Sequence, residues 1–134
     1  MPNRTSPSEV VPLDACAVRV VDAERVEAAR RLLPTEDELE GLTGLFRLLG
    51  DATRARLLYA LLEAGELCVC DLAASTDTSE TTVSQSLRLL RAAGAVRARR
   101  SGRMMFYRLD DAHVRMLLDL TREHLRHTDG GEER

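Results

Sequence analysis

The chain has no lysine and no tryptophan, and only two phenylalanines, two tyrosines and three cysteines among its 134 residues. With aromatics at 3% there are few faces on which unpaired bases could stack, which argues against single-stranded nucleic acid as a partner. Three cysteines is a small and odd number, so no disulfide framework is expected. No apolar run approaches the roughly 18 residues that cross a bilayer, and no membrane partner is expected. The opening MPNRTSPSEVVPLD lacks the basic start and apolar core of a secretory signal, so the expected address is cytoplasmic.

What is present is globular: 44% hydrophobic and 31% charged residues, enough for one domain with a real core. Every basic side chain is arginine, and the arginines are unevenly placed. Residues 1–78 carry 8 Arg against 14 acids, residues 79–108 carry 7 against the single Glu80, and residues 109–134 carry 4 against 7. A mildly acidic protein with one basic segment fits a phosphate-contacting element better than a generally adhesive surface. A solvated arginine face is the plainer alternative.

Residues 1–15, with Pro2, Pro7 and Pro12, read as a flexible arm, 16–127 as the folded domain and 128–134 as a flexible tail. Helical spacing predicts a short helix from Asp22 to Pro34. A second follows Thr35, which can cap it ahead of Glu36, Asp37 and Glu38, and a third runs from Asp51 or Thr53 to Ala64-Gly65. ELCVCDLAAS reads as a short helix entered at its cysteines. The next helix, capped by Thr78 or Ser79, places Val83, Leu87 and Leu90 inward and stops at Gly94. AVRARR and MMFYRL, either side of Ser101-Gly102-Arg103, predict a hairpin with a basic tip, and a helix over about 110–127 closes the chain.

Helix, tight turn, helix and two-stranded ribbon is the order of a winged helix-turn-helix, so the predicted fold is mostly α with a small β-hairpin wing. Its second helix would enter the major groove of double-stranded DNA. Thr81, Thr82, Ser84, Gln85 and Arg88 face away from the inward stripe, and Gln and Arg suit bidentate contacts with adenine and guanine edges. Ser79 and Thr82 at the helix start can hold a phosphate. Arg99, Arg100 and Arg103 add backbone contacts from the hairpin.

Two groups of residues carry metal-ligand chemistry. All three histidines, His113, His124 and His127, lie in the last helix with Asp111 just before it. His113 and His124 fall within about 20° of one face but about 16 Å apart along the axis, so one helix cannot bring both to one ion. Two antiparallel copies about a two-fold axis can, which predicts a homodimer. Asp111 and His113 of one protomer would meet His124 and His127 of its partner in an N/O set suited to zinc. A merely polar helix face is the alternative.

Cys68 and Cys70 would point about 200° apart in a regular helix, so joint ligation requires non-helical backbone at the helix entrance. The third sulfur is Cys16. Three thiolates, with Asp71, Asp14 or water as candidates to complete the set, make a soft site suited to cadmium, lead or zinc, and in trigonal form to trivalent arsenic. Burial as small apolar residues is the alternative for each cysteine alone. A thiol redox switch built on Cys16, Cys68 and Cys70 is a second functional reading. A zinc hydrolase is disfavoured, because four protein ligands leave no position for water and no HExxH glutamate is present.

With these residues placed, the chain resembles the ArsR/SmtB family of metal-responsive repressors, nearest its CadC and SmtB branches, over roughly residues 16–127. ELCVCDL (66–72) is similar to the family's metal box and LGDATRARLLYAL (49–61) to the helix before it. TTVSQSLRLLRAAGAV (81–96) is similar to the recognition helix, SGRMMFYRL (101–109) to the wing and DDAHVRMLLDLTREH (110–124) to the zinc-regulatory helix. In the CadC branch two arm cysteines join the CxC pair across the dimer interface. Here Cys16 occupies the first position, and Val20 stands where the second would be. The resemblance implies no enzyme but a dimer that binds an inverted-repeat operator when metal-free. Zinc, cadmium or lead would release it, switching on efflux or detoxification genes.

Overall fold

A computed structural model of the chain describes residues 19–130, so Asp14, Cys16 and the arm expected at 1–15 lie outside the described residues. The chain divides into two compact units between Leu39 and Glu40, each taken by itself. In the first, α1 (Ala23–Leu32) is capped by the Asp22 carboxylate, which accepts from the Arg25 N–H at 3.1 Å. Ahead of α2 (Glu36–Leu49) stands a reciprocal capping box. Thr35 Oγ1 accepts from the Glu38 N–H at 3.1 Å and Glu38 Oε1 from the Thr35 N–H at 2.9 Å, satisfying two donors that a helix start leaves free.

The second unit takes in the rest of α2 and everything after it. Asp51 caps α3 (Ala52–Ala64) through the Arg54 N–H, and Arg54 Nε donates to the Leu48 carbonyl at 2.6 Å, fixing the corner between the two helices. β1 (Leu67–Cys68) leads directly into α4 (Val69–Thr76). Asp77, in the left-handed conformation at φ 55°, ends α4 and makes the tight turn before α5 (Glu80–Ala92). β2 (Val96–Ser101) and β3 (Met104–Leu109) then form the hairpin, turned at Gly102 with φ 63°. The chain continues into α6 (Ala112–Gly130).

The wing is one strand richer than the two-stranded ribbon expected. Leu67 and Cys68 pair antiparallel with Tyr107 and Phe106, giving a sheet in the order β1-β3-β2. Two residues are too few for an alternation to be read. The last helix also extends beyond 127 into the segment read as tail, since Thr128 continues it and donates its Oγ1 proton to the His124 carbonyl at 2.9 Å.

The core is leucine-built: Leu57, Leu58 and Leu61 of α3, Leu72 of α4, and Val83, Leu87 and Leu90 of α5 close on Val96, Leu109 and Leu118. The predicted inward stripe of α5 is buried throughout. Tyr59 donates its phenol proton to the Leu118 carbonyl at 2.8 Å, and Arg122 lies 4.8 Å over the Tyr59 ring while reaching Glu63 at 2.9 Å, so α6 is tied to α3.

Candidate nucleic-acid interface and metal centre

With its apolar stripe committed to the core, α5 presents the opposite side to solvent. Thr81, Ser84, Gln85 and Arg88 are exposed and Thr82 is half-buried. Ser79 caps the helix, accepting the Thr82 N–H at 3.1 Å and donating to the Thr82 hydroxyl at 3.0 Å. Arg100 and Arg103 project from the wing as exposed side chains. Arg99 is exposed as well but already engaged. Its guanidinium donates to both carboxylate oxygens of Glu66, at 2.9 and 2.8 Å, and lies 5.0 Å from the centre of the Phe106 ring. That hydrogen-bonded pair, with Arg99 the largest influence, holds the Glu66 carboxyl below the usual range.

Arg91, which the sequence pattern alone does not single out, belongs with this surface. It lines a cleft of about 530 Å³ together with Ser84, Arg88 and Tyr107, between α5 and the wing. Its spacing was the available signal, three residues beyond Arg88 and seven beyond Ser84, on one strip of helix.

Cys68 and Cys70 stand at the start of the same helix-turn-helix. Cys68 ends β1 and is the N-cap of α4, with extended backbone at φ −84° and ψ 174°. The expected non-helical entrance is therefore present, and it lets residues two apart turn their sulfurs to the same side. The Sγ atoms are 3.3 Å apart, and with an Asp71 carboxylate oxygen they form a group lying within 4.8 Å of one another. No other group of three or more His, Cys, Asp or Glu donors is gathered among the described residues. Cys68 is buried, with 4% of its surface accessible, whereas Cys70 is exposed. Two sulfurs and a carboxylate on a short, partly open ledge fit a soft or borderline cation. The hydrogen bond that the Cys70 thiol shares with the Cys68 sulfur, then burial, then the Cys68, Asp71 and Glu80 charges push the Cys70 thiol up.

The histidine set is not gathered among the described residues of the single chain. His113, His124 and His127 are exposed along α6. Asp111 has a structural task beyond the ligand role expected of it: its Oδ1 accepts the His113 and Val114 N–H groups at 3.0 and 3.1 Å, capping α6. The Val114 N–H bond is the largest influence holding this carboxyl below its usual range, with the His113 side chain adding to it. Its other oxygen, Oδ2, faces His113 Nδ1 at 3.6 Å, so one carboxylate can cap and still present a donor beside an imidazole.

A helix-turn-helix with an exposed polar recognition face and a three-stranded wing defines the chain as a winged helix-turn-helix DNA-binding regulator. The bacterial regulatory protein arsR family matches residues 51–98, the span from the start of α3 into β2. The chain is 36% identical over 106 residues to a cadmium resistance transcriptional regulatory protein CadC homolog of Staphylococcus aureus, covering 79% of this chain and 87% of that one. To a transcriptional repressor SmtB homolog of Synechocystis it is 38% identical over 122 residues, covering 91% and 90%. Among solved structures, the AntR antimony-specific transcriptional repressor superposes with a TM-score of 0.66 at 36% identity, covering 73% of this chain and 88% of that one. The chain belongs to the ArsR/SmtB family of transcriptional repressors, which are DNA-binding regulators and not enzymes.

Proposed function

We propose that the protein is a metal-sensing repressor which binds an inverted-repeat operator as a homodimer when metal-free and leaves it when zinc, cadmium or lead binds. Its targets are genes for metal efflux or detoxification, and it works in the cytoplasm, with residues 16–127 as the repressor domain. The observation that carries this reading is the Cys68/Cys70/Asp71 group, set at the entrance of the helix that precedes α5 and joined by β1 to the wing. The CadC and SmtB names of its relatives, and the antimony specificity of a structural neighbour, point the same way.

Cys68, Cys70 and Asp71 would hold one ion, with Cys16 supplying a third sulfur. Asp111 and His113, with His124 and His127 of the second protomer, would hold another. A bound ion supplies positive charge and a cross-link between donors that are otherwise free to move apart. Ser79, Thr81, Thr82, Ser84, Gln85, Arg88, Arg100 and Arg103 meet the DNA, joined by Arg99 if it leaves Glu66. The energetic demand is modest, because a coupling of roughly 1–3 kcal/mol weakens DNA binding about 5–150-fold.

The test is operator binding with Zn²⁺, Cd²⁺, Pb²⁺ and trivalent arsenic for the wild type, Cys68→Ser/Cys70→Ser and His113→Ala. Retained operator affinity with metal demonstrably bound would overturn the reading. The 3.3 Å sulfur separation keeps a thiol redox switch as the second reading, and that one predicts peroxide-driven release that survives chelators.

A further inference from the structure

The cysteine ledge opens into a cleft of about 300 Å³ whose lining includes Cys68, Cys70, Glu80, Arg103, Met104 and Met105. The register explains why methionines arrive there. Cys68 pairs with Phe106 across the sheet, so Met105 and Met104 are the next two residues along β3 toward the wing tip. Neither belongs to the core cluster, and Met104 keeps 42% of its surface accessible. Two of the chain's four methionines thus stand together at a thiol pair, on a basic hairpin, without a core-packing task that would call for them.

We propose that a thioether of Met104 or Met105 joins Cys68 and Cys70 as a third sulfur donor from the same protomer, making a site for soft monovalent cations of the copper(I) and silver(I) class. This rests on the metal-sensing reading of the cysteine pair and adds soft monovalent ions, with a route by which they act, to those the pair takes. Thioether sulfur is neutral and polarisable, and thiolate with thioether ligands select such ions over harder ones. The two thiols lose their protons to solvent on binding, so a monovalent ion held by two thiolates and a neutral thioether carries one net negative charge. Because Met104 follows Arg103 directly, an ion held between the cysteines and β3 draws the wing tip toward α4. It thereby moves a DNA-facing arginine without requiring Cys16.

The full-length protein labelled with ¹³C at its methionine methyl groups and titrated with Ag⁺ gives the direct readout. One equivalent of Ag⁺ per chain is expected to shift the Met104 or Met105 methyl resonance and leave Met116 in place. The shift should persist in Cys16→Ser and vanish in Cys68→Ser/Cys70→Ser. Met104→Leu/Met105→Leu, which keeps size and apolarity, should weaken Ag⁺ binding by about tenfold or more while Zn²⁺ affinity is held. Bound Ag⁺ that moves neither methyl in the wild type, or equal Ag⁺ affinity in the leucine variant, overturns the proposal. If Cd²⁺ still releases operator DNA in that event, the repressor reading stands without the thioether. If the methyls move but no metal releases DNA, the thioether site stands and the repressor reading falls.

Discussion

The Arg99 guanidinium holds both carboxylate oxygens of Glu66, at 2.8 and 2.9 Å, while lying over the face of Phe106. Glu66 is the residue before β1, and Cys68 is two further on, so this pair fastens the wing to the strand that enters the cysteine box.

Replacing Glu66 by Gln should therefore raise metal-free operator affinity at low salt, since a negative charge disappears and Arg99 is released to the phosphates. The slope of log K against log salt should steepen by about one contact. Exposed pairs add little to stability, so the thermal midpoint should barely move. An unchanged salt slope would mean that Arg99 does not reach DNA even when freed.

Gln85 and Arg88 should differ from Arg100 in kind. Gln85→Ala and Arg88→Ala are expected to cost about 1–3 kcal/mol against the cognate site and to relax preference at one base pair each. Arg100→Ala should weaken all sequences alike and lower the salt slope by about one. Competition binding on single-base operator variants separates the two behaviours.

Leu61 and Leu120 are both leucines on helices, yet Leu61 is fully buried and Leu120 is 64% accessible. Leu61→Ala should destabilise the fold by about 2–5 kcal/mol in urea unfolding. Met116, 55% accessible, lies one turn before Leu120 on α6, and the pair forms an apolar strip suited to the proposed dimer. Leu120→Asp should leave the single chain folded, by circular dichroism, and shift sedimentation toward the monomer.

At Asp111 the capping and ligand roles can be separated. Asp111→Asn keeps a side-chain oxygen for the His113 and Val114 N–H groups but removes the carboxylate, so α6 should stay helical while Zn²⁺ affinity falls. Asp111→Ala should lose both. Equal zinc affinity in wild type and Asp111→Asn would remove this residue from the ligand set.

The helices were legible because their signals are local: Asp22, Thr35, Asp51 and Ser79 cap the helices they precede, and the Val83/Leu87/Leu90 stripe is buried as its spacing predicts. The CxC pair could be read because its spacing forbids joint ligation inside a helix, which forced the entrance geometry that Cys68 adopts. What escaped was non-local or very short. The Leu67-Cys68 strand exists only by pairing with β3, the Glu66–Arg99 pair spans 33 positions, and Met104 and Met105 come to line the cysteine cleft through sheet register. Asp111 is different, since an aspartate ahead of a helix suits both a cap and a metal ligand, and its type alone does not separate the two.

In the proposed mechanism an ion at Cys68 and Cys70 controls the DNA-reading helix, which a titration of Cd²⁺ into the preformed operator complex checks. Wild type should release the DNA at about one Cd²⁺ per cysteine pair, with a five- to 150-fold loss of affinity of about the size a 1–3 kcal/mol coupling gives. Cys68→Ser/Cys70→Ser should stay bound. A cysteine variant that releases DNA at the same Cd²⁺ concentration as the wild type would contradict the account.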